Sequence, residues 1–185
     1  LLRDRLKLAD PRLIRKYVLR VRQQVSEHTE LTGYFRPNMV LVPVPGSAPI
    51  EAGGTSVSQE LARAMTCAGL GREVWIGLVR ARRVTRSAFA AEGARPSVRE
   101  HYDSFAIREA TAFSRTEEIM LIDDVVTKGR TLLAAASRVR ETFPLARIRA
   151  FAMLRTLGLR PDVVRLLDPC VGEIRWRSGD ARRNP

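Results

Sequence analysis

Ile119-Met120-Leu121-Ile122-Asp123-Asp124-Val125-Val126-Thr127-Lys128-Gly129-Arg130-Thr131 decides how this chain folds. Four apolar residues run into two adjacent carboxylates, two valines follow, and a short polar turn then opens the helical run Leu132 to Phe143. A continuous apolar run of this length, bounded by polar residues, is the pattern of a strand buried on both faces of a parallel sheet. Acids at its carboxyl end, followed by a glycine-containing turn and a helix, set carboxylates and free backbone N–H groups at one crevice. Open α/β sheets bind ligands there. The N–H groups of the turn and the helix N-terminus behind them favour a phosphate. Carboxylates repel phosphate, so Asp123 and Asp124 are expected to face sugar hydroxyls or a metal. A ligand carrying a phosphate beside a ribose satisfies both halves.

Working outward, Met39 to Val44 reads as another buried strand, bracketed by Pro37 and Pro43. The stretch from Pro45 to Gly54 then breaks every regular period. Ser56 with Gln59 forms a capping box, and Val57, Leu61, Ala64, Met65 and Ala68 make the apolar stripe of a helix that Gly69 and Gly71 end. Upstream, Asp10-Pro11 opens a helix with an N-cap and a proline at the first helical position. Its stripe is Ile14, Val18, Val21 and Val25. Glu73 to Val79 reads as a strand, Ser104 to Ile107 as a short and antiparallel one, and Ile148 to Leu154 as the parallel partner required after the helix. Val163 to Leu167 reads as a short helix or turn and Val171 to Trp176 as a last strand, with a polar tail after it. Between Arg80 and Glu100 periodicity is lost for about twenty residues, a length typical of a functional lid or of a disordered, solvated linker. That interval carries Arg80, Arg82, Arg83, Arg86, Arg95 and Arg99.

The 185 residues suffice for one well-buried α/β domain and are few for two. No apolar run approaches a membrane span, and no signal peptide is visible. The chain opens on Leu1 rather than Met, as a trimmed N-terminus would. Two cysteines, Cys67 and Cys170, make no disulfide framework, so a cytoplasmic setting is the default and both are expected to be small buried hydrophobes. The net charge of +12 implies anionic partners. It comes from 29 arginines and 3 lysines spread along the chain, with no helix-turn-helix, zinc-finger or RNA-binding signature. Nucleic acid is therefore left open by charge and unsupported by motif. Arginine's planar fork suits a diphosphate equally well.

The Ile119–Thr131 stretch resembles the PRPP-binding signature of the type I phosphoribosyltransferases: hydrophobic strand, two acids, two apolar residues, small polar loop ending in Thr. Lys128 stands where a small residue is usual. The pattern Leu78-Val79-Arg80, then Thr85-Arg86-Ser87, then Arg95 and Phe105, resembles the competence-associated (ComF-type) branch, without that branch's loop Gln or Cys-rich zinc ribbon. The resemblance spans Met39 to about Leu154. It implies a Rossmann-like core, a mostly parallel twisted sheet flanked by helices, with a small hood built from the chain ends (the N-terminal helix at about 11–29 and the region 158–185). It implies transfer of the 5-phosphoribosyl group of PRPP to a nitrogen acceptor, with release of pyrophosphate and with Mg²⁺ held through PRPP and waters rather than by a protein cage.

In that reading Asp123 and Asp124 take the ribose hydroxyls, directly and through Mg²⁺-bound waters. Thr127, Lys128, Gly129, Arg130 and Thr131 hold the 5′-phosphate, and Gly46 and Ser47 the pyrophosphate. Arg80 and Arg86 are the candidates for the diphosphate, with Arg86 on the closing loop placed among the catalytic residues. Lys128 either reaches a phosphate oxygen or an acidic substrate, or points to solvent while its N–H alone binds. His101 is a substrate contact, an acid/base group or a structural histidine. The acceptor is not named by any residue, and a homodimer is left open. The competing reading is a PRPP sensor, or a nucleic-acid-associated protein, that keeps the fold without turnover.

Overall fold

The structure, a computed structural model, describes residues 10–51, 53–85, 95–110, 116–156 and 168–184. Among these, β1 (Val40–Pro43), β2 (Glu73–Val74), β5 (Glu118–Val126) and β6 (Arg147–Arg155) form a four-stranded sheet in the order β2-β1-β5-β6. All three pairings are parallel. The α/β class read from the sequence is the one found.

The two faces of this sheet follow from strand alternation. Val40, Val42, Ile119 and Leu121 belong to one core with α5 (Arg130–Thr142), through Leu132, Ala135 and Val139. Met39, Leu41, Met120 and Ile122 belong to the other, with Ile14 and Val18 of α1 (Pro11–Glu27) and Leu61 and Met65 of α3 (Val57–Cys67). Between α1 and β1 lies the single turn α2 (Thr29–Thr32). Covered on both sides, β1 and the Ile119–Ile122 run of β5 are apolar at every position. Truncating a fully buried residue such as Leu121 to Ala is expected to cost about 3 kcal/mol.

Local signals set the helix starts. Asp10 Oδ1 accepts from Arg12 N at 2.9 Å, with Pro11 at the first turn. Ser56 and Gln59 close a reciprocal capping box, Gln59 N to Ser56 Oγ at 3.2 Å and Ser56 N to Gln59 Oε1 at 3.0 Å.

The run Glu73–Val79 is not one strand. Trp75 N makes the last bond to the main sheet, at Leu41 O (2.9 Å), and the chain then leaves it. β3 (Leu78–Arg80) pairs antiparallel with β4 (Phe105–Ile107), as the second of these was expected to do. Gly77 permits the departure: a Cβ there would lie 2.1 Å from Arg108 O and 2.3 Å from the Trp75 ring. Before β4, α4 (Val98–Ser104) occupies the end of the aperiodic interval, started by a Ser97–Glu100 capping box. It packs on α5, with the Arg138 guanidinium 4.0 Å over the Tyr102 ring.

The last strand and the polar tail form a hairpin, β7 (Glu173–Arg177) with β8 (Asp180–Asn184). Ser178 and Gly179 both have positive φ, +52° and +78°, the signature of a two-residue turn whose twist matches that of the strands. Thus the N-terminal helix lies on one face of the sheet, and the C-terminal hairpin lies against α5 on the other. Both cysteines are exposed, correcting the expectation that they are buried; Cys67 is the last residue of α3 and lies on its solvent side. The segment 158–167, including the turn expected at Val163–Leu167, is outside the described residues. Among the described residues, no helix is long and apolar enough to cross a membrane.

Candidate functional site

β1 connects through α3 to β2 on one side, and β5 connects through α5 to β6 on the other. The chain therefore turns in opposite directions from two adjacent strands, leaving a crevice between their carboxyl ends. Val44 N donates to Ile122 O at 2.8 Å, so the chain leaves β1 beside Asp123, while β5 runs on to Val126. The loop after β1 starts at Pro45 and the turn after β5 at Thr127. Gly46, Ser47, Asp123, Asp124 and Thr127–Thr131 all occupy these two exits. Arg86 lies outside the described residues.

The turn after β5 presents an N-terminus that no side chain caps. Gly129 is the N-cap residue of α5, with φ +86° and no side-chain cap bond, and the first turn of the helix carries no acid. The other longer helices, α1 and α3, are both closed by side chains. The orphan N–H groups and the helix dipole at α5 are thus free to meet an anion. Glycine is required at position 129 twice over, by its φ and because a Cβ there would lie 2.8 Å from Ile174 of the hairpin. A small concavity is walled by residues 127–131 together with Asp123, Arg95 and His101. Asp124 is not in that wall.

The loop after β1 is shaped from below by Arg80. This side chain is 4% exposed. Its Nε donates to Gly46 O at 2.8 Å and its Nη2 to Pro45 O at 3.3 Å. Its Nη1 donates to His101 O at 3.4 Å and to Ser104 Oγ. The guanidinium also stacks 4.0 Å over the Phe105 ring. In a trans peptide the C=O of one residue and the N–H of the next point in opposite directions. With the Pro45 and Gly46 carbonyls drawn down to Arg80, the N–H groups of Gly46 and Ser47 face away from it. A Cβ at Gly46 would meet nothing within 4 Å, so the space beside the loop is open. Burial lowers the Arg80 pKa to about 10, partly offset by the nearby Asp123 charge, and the group stays cationic at neutral pH. Arg80, expected from sequence to touch the diphosphate, is placed beneath the loop with its donors spent on protein acceptors. Val84 N adds a tie to Ser47 O at 2.8 Å.

The acid pair is strained electrostatically. Burial pushes the Asp123 carboxyl well above the usual aspartate range, and the adjacent Asp124 charge and hydrogen bond push it further. Each carboxylate also accepts from the next backbone N–H, Asp124 N to Asp123 Oδ1 and Val125 N to Asp124 Oδ1, both 2.9 Å. A bound cation, or donors such as ribose hydroxyls, would relieve this like-charge proximity. Among the described residues, no group of three or more His, Cys, Asp or Glu side chains converges into a cation cage. Two hard carboxylates fit Mg²⁺ that arrives with phosphates and keeps its waters.

Three more side chains complete the site: Arg130, expected from sequence to hold the 5′-phosphate, and His101 and Arg95, to which no site role was assigned. Arg130 donates Nε to Asp180 Oδ1 and Nη2 to Asp180 Oδ2, both 2.6 Å, so its side chain faces the hairpin and only its backbone faces the turn. His101 is 5% exposed, with Nε2 3.4 Å from Thr131 Oγ1. Burial, with the Arg80 charge adding to it, lowers its pKa to about 4, and it is neutral near pH 7. Arg95, read from sequence as a basic residue of the lid and as part of the resembling pattern, reaches the concavity. Lys128 is exposed at the tip of the turn.

A cavity of about 640 Å³ lies along the free edge of β6 between α1 and the hairpin, and reaches Val126 and Leu132 on either side of the turn. Its wall includes chain on both sides of the segment 157–167, outside the described residues. The chain matches no protein-family model, and no curated protein matches it either.

Proposed function

We propose that the chain binds PRPP with Mg²⁺ and transfers its 5-phosphoribosyl group to a nitrogen acceptor, releasing pyrophosphate. One observation carries this reading. Two loops with free N–H groups flank a carboxylate pair at the exits of adjacent strands that turn in opposite directions. PRPP has the matching order of groups: a phosphate at one end, a ribose between, a diphosphate at the other.

In the reaction the bond from ribose C1 to the diphosphate oxygen breaks as C1 bonds to the acceptor nitrogen. Positive charge builds on the ribose and negative charge on the leaving group, and fixed charges aimed at both lower the barrier. The backbone of 127–131 anchors the 5′-phosphate. Asp123 and Asp124 hold the ribose hydroxyls and place carboxylate charge beside the electron-poor ring. The Gly46 and Ser47 N–H groups, fixed by Arg80, receive the diphosphate. Asp123 and Asp124 would hold Mg²⁺ through its waters, and the ion would supply positive charge against the diphosphate. Arg86, outside the described residues, is kept as the expected diphosphate contact. A cytoplasmic setting fits a substrate of this class.

The direct test measures pyrophosphate release from PRPP and Mg²⁺ with a panel of nucleobases. Asp123→Asn/Asp124→Asn should abolish release without unfolding the protein; wild-type rates in that double variant would remove the proposal. The net charge of +12 favours a second reading, a PRPP-binding regulator associated with a polyanion. PRPP binding without turnover of any acceptor, together with steeply salt-dependent nucleic-acid binding, would select it.

A further inference from the structure

The geometry points to a phosphate-monoester subsite at the turn 127–131 that is completed by two residues from the far end of the basic interval. Arg95 binds the anion, and His101 positions the hydroxyl of Thr131. This inference rests on the reading of the turn as a phosphate site.

Two arginines near the turn are already engaged. The Arg130 guanidinium is committed to Asp180, and its Nη1 donates to Arg95 O at 3.2 Å and Pro96 O at 3.3 Å. Arg130 therefore acts as a strut that draws residues 95–96 against the turn. Arg80 is spent beneath the other loop. Arg95 differs. It lines the concavity, and its Nε is buried with no hydrogen-bond partner. A buried guanidinium N–H without an acceptor is costly, and a phosphate oxygen is the acceptor that suits its fork geometry.

His101 supplies the second half. It is nine-tenths buried and lines the same concavity, with Nδ1 buried and unpartnered and Nε2 facing Thr131 Oγ1 at 3.4 Å. Burial first, and then the Arg80 guanidinium, disfavour a proton on both ring nitrogens. In the neutral ring, a proton on Nε2 leaves the unpartnered Nδ1 as a lone pair rather than a stranded donor. Nε2–H then donates to Thr131 Oγ1, and the hydroxyl keeps its own proton to donate into the concavity. An anion there meets donors on three sides: backbone N–H groups of the turn, the Thr131 hydroxyl and the Arg95 guanidinium. A phosphate monoester has three free oxygens to receive them. A diester has only two.

The test titrates full-length protein with ribose 5-phosphate and with inorganic phosphate, comparing wild type with Arg95→Gln, Arg95→Lys, His101→Leu and His101→Asn. Expected are a loss of at least tenfold in ribose 5-phosphate affinity for Arg95→Gln, partial recovery in Arg95→Lys, and a smaller loss for His101→Leu that His101→Asn, which retains an N–H donor, reverses. If the arginine variants bind as the wild type does, or if both His101 variants lose affinity equally and only in step with lost thermal stability, the inference is overturned. Failure of wild type to bind either probe overturns it as well. Failure of the PRPP reading looks different: the variant pattern holds with ribose 5-phosphate, and PRPP with Mg²⁺ binds no tighter than ribose 5-phosphate.

Discussion

Arg130, the first residue of α5, is tied to Asp180 of the C-terminal hairpin by a two-pronged ion pair, Nε to Oδ1 and Nη2 to Oδ2, both 2.6 Å. The contact binds the end of the chain to the turn that follows the acid pair. Beside it, Ile174 packs where a side chain at Gly129 would go. The hairpin is thereby part of the frame that fixes the turn.

Asp180→Asn should loosen that frame without unfolding the core. Both side chains are partly exposed, 21% and 27%, so the stability loss is expected to be about 1 kcal/mol. Amide exchange in 173–184 should accelerate while that in β5 holds. The Arg130 hydrogen bond holds the Asp180 pKa below the aspartate norm. Its stabilisation is therefore present at neutral pH and lost as pH falls through that lowered value.

Arg80→Lys is expected to be severe although charge is conserved. A compact ammonium cannot span Pro45 O, Gly46 O, His101 O and Ser104 Oγ. With buried acceptors left short, a loss of about 3 kcal/mol is expected in urea denaturation. Pyrophosphate affinity should fall with it, because the Gly46 and Ser47 N–H groups lose their fixed direction. Unchanged stability and affinity would show that the loop holds its shape without the guanidinium.

His101 should give the protein an acid-sensitive limb. Its folded pKa of about 4 lies below the ordinary 6.5, so the unfolded chain takes up a proton first as pH falls. Stability is full above about pH 6.5 and declines toward pH 4, by on the order of 3 kcal/mol for a fully expressed shift. Denaturant midpoints across this range should show a slope in wild type that is reduced in His101→Asn. An equal slope in both would assign the limb to other groups.

Asp123→Asn should separate stability from chemistry. The folded pKa of Asp123 is raised, so its contribution favours the fold at low pH and is lost as pH rises through that value. Asn keeps the acceptor for Asp124 N (2.9 Å) and removes the like-charge proximity. A gain of about 1 kcal/mol, roughly 2–4 °C in Tm, is expected at neutral pH, accompanied by loss of turnover. The Tm difference from wild type should shrink in acid.

The sequence made the parallel core legible because its signals are local or periodic. The unbroken apolar run into Asp123, the Ser56–Gln59 box and the Asp10-Pro11 start each name an element by chemistry within a few residues. What stayed hidden depends on contacts distant in sequence. The break in Glu73–Val79 is set by Gly77 meeting Arg108, thirty-one positions on, which no periodicity reveals. The short helix at Val98–Ser104 carries a charged face that reads as loop, although its Ser97–Glu100 box was a usable sign. Ser178-Gly179 was likewise a readable turn inside what looked like a polar tail. At the site, the acids and the turn could be named from spacing. The inward placement of Arg80, the Asp180 tether and the unpartnered His101 nitrogen required the fold.

The most direct measurement is calorimetric titration of the wild-type protein, in Mg²⁺, with PRPP, ribose 5-phosphate and pyrophosphate in separate experiments. If the turn at 127–131 and the loop at 45–47 hold opposite ends of one ligand, joining the two fragments makes the second contact intramolecular. PRPP should then bind on the order of 10²-fold tighter than either fragment, and each fragment should compete with it. PRPP binding no tighter than ribose 5-phosphate or pyrophosphate alone would contradict a single PRPP site spanning the two loops.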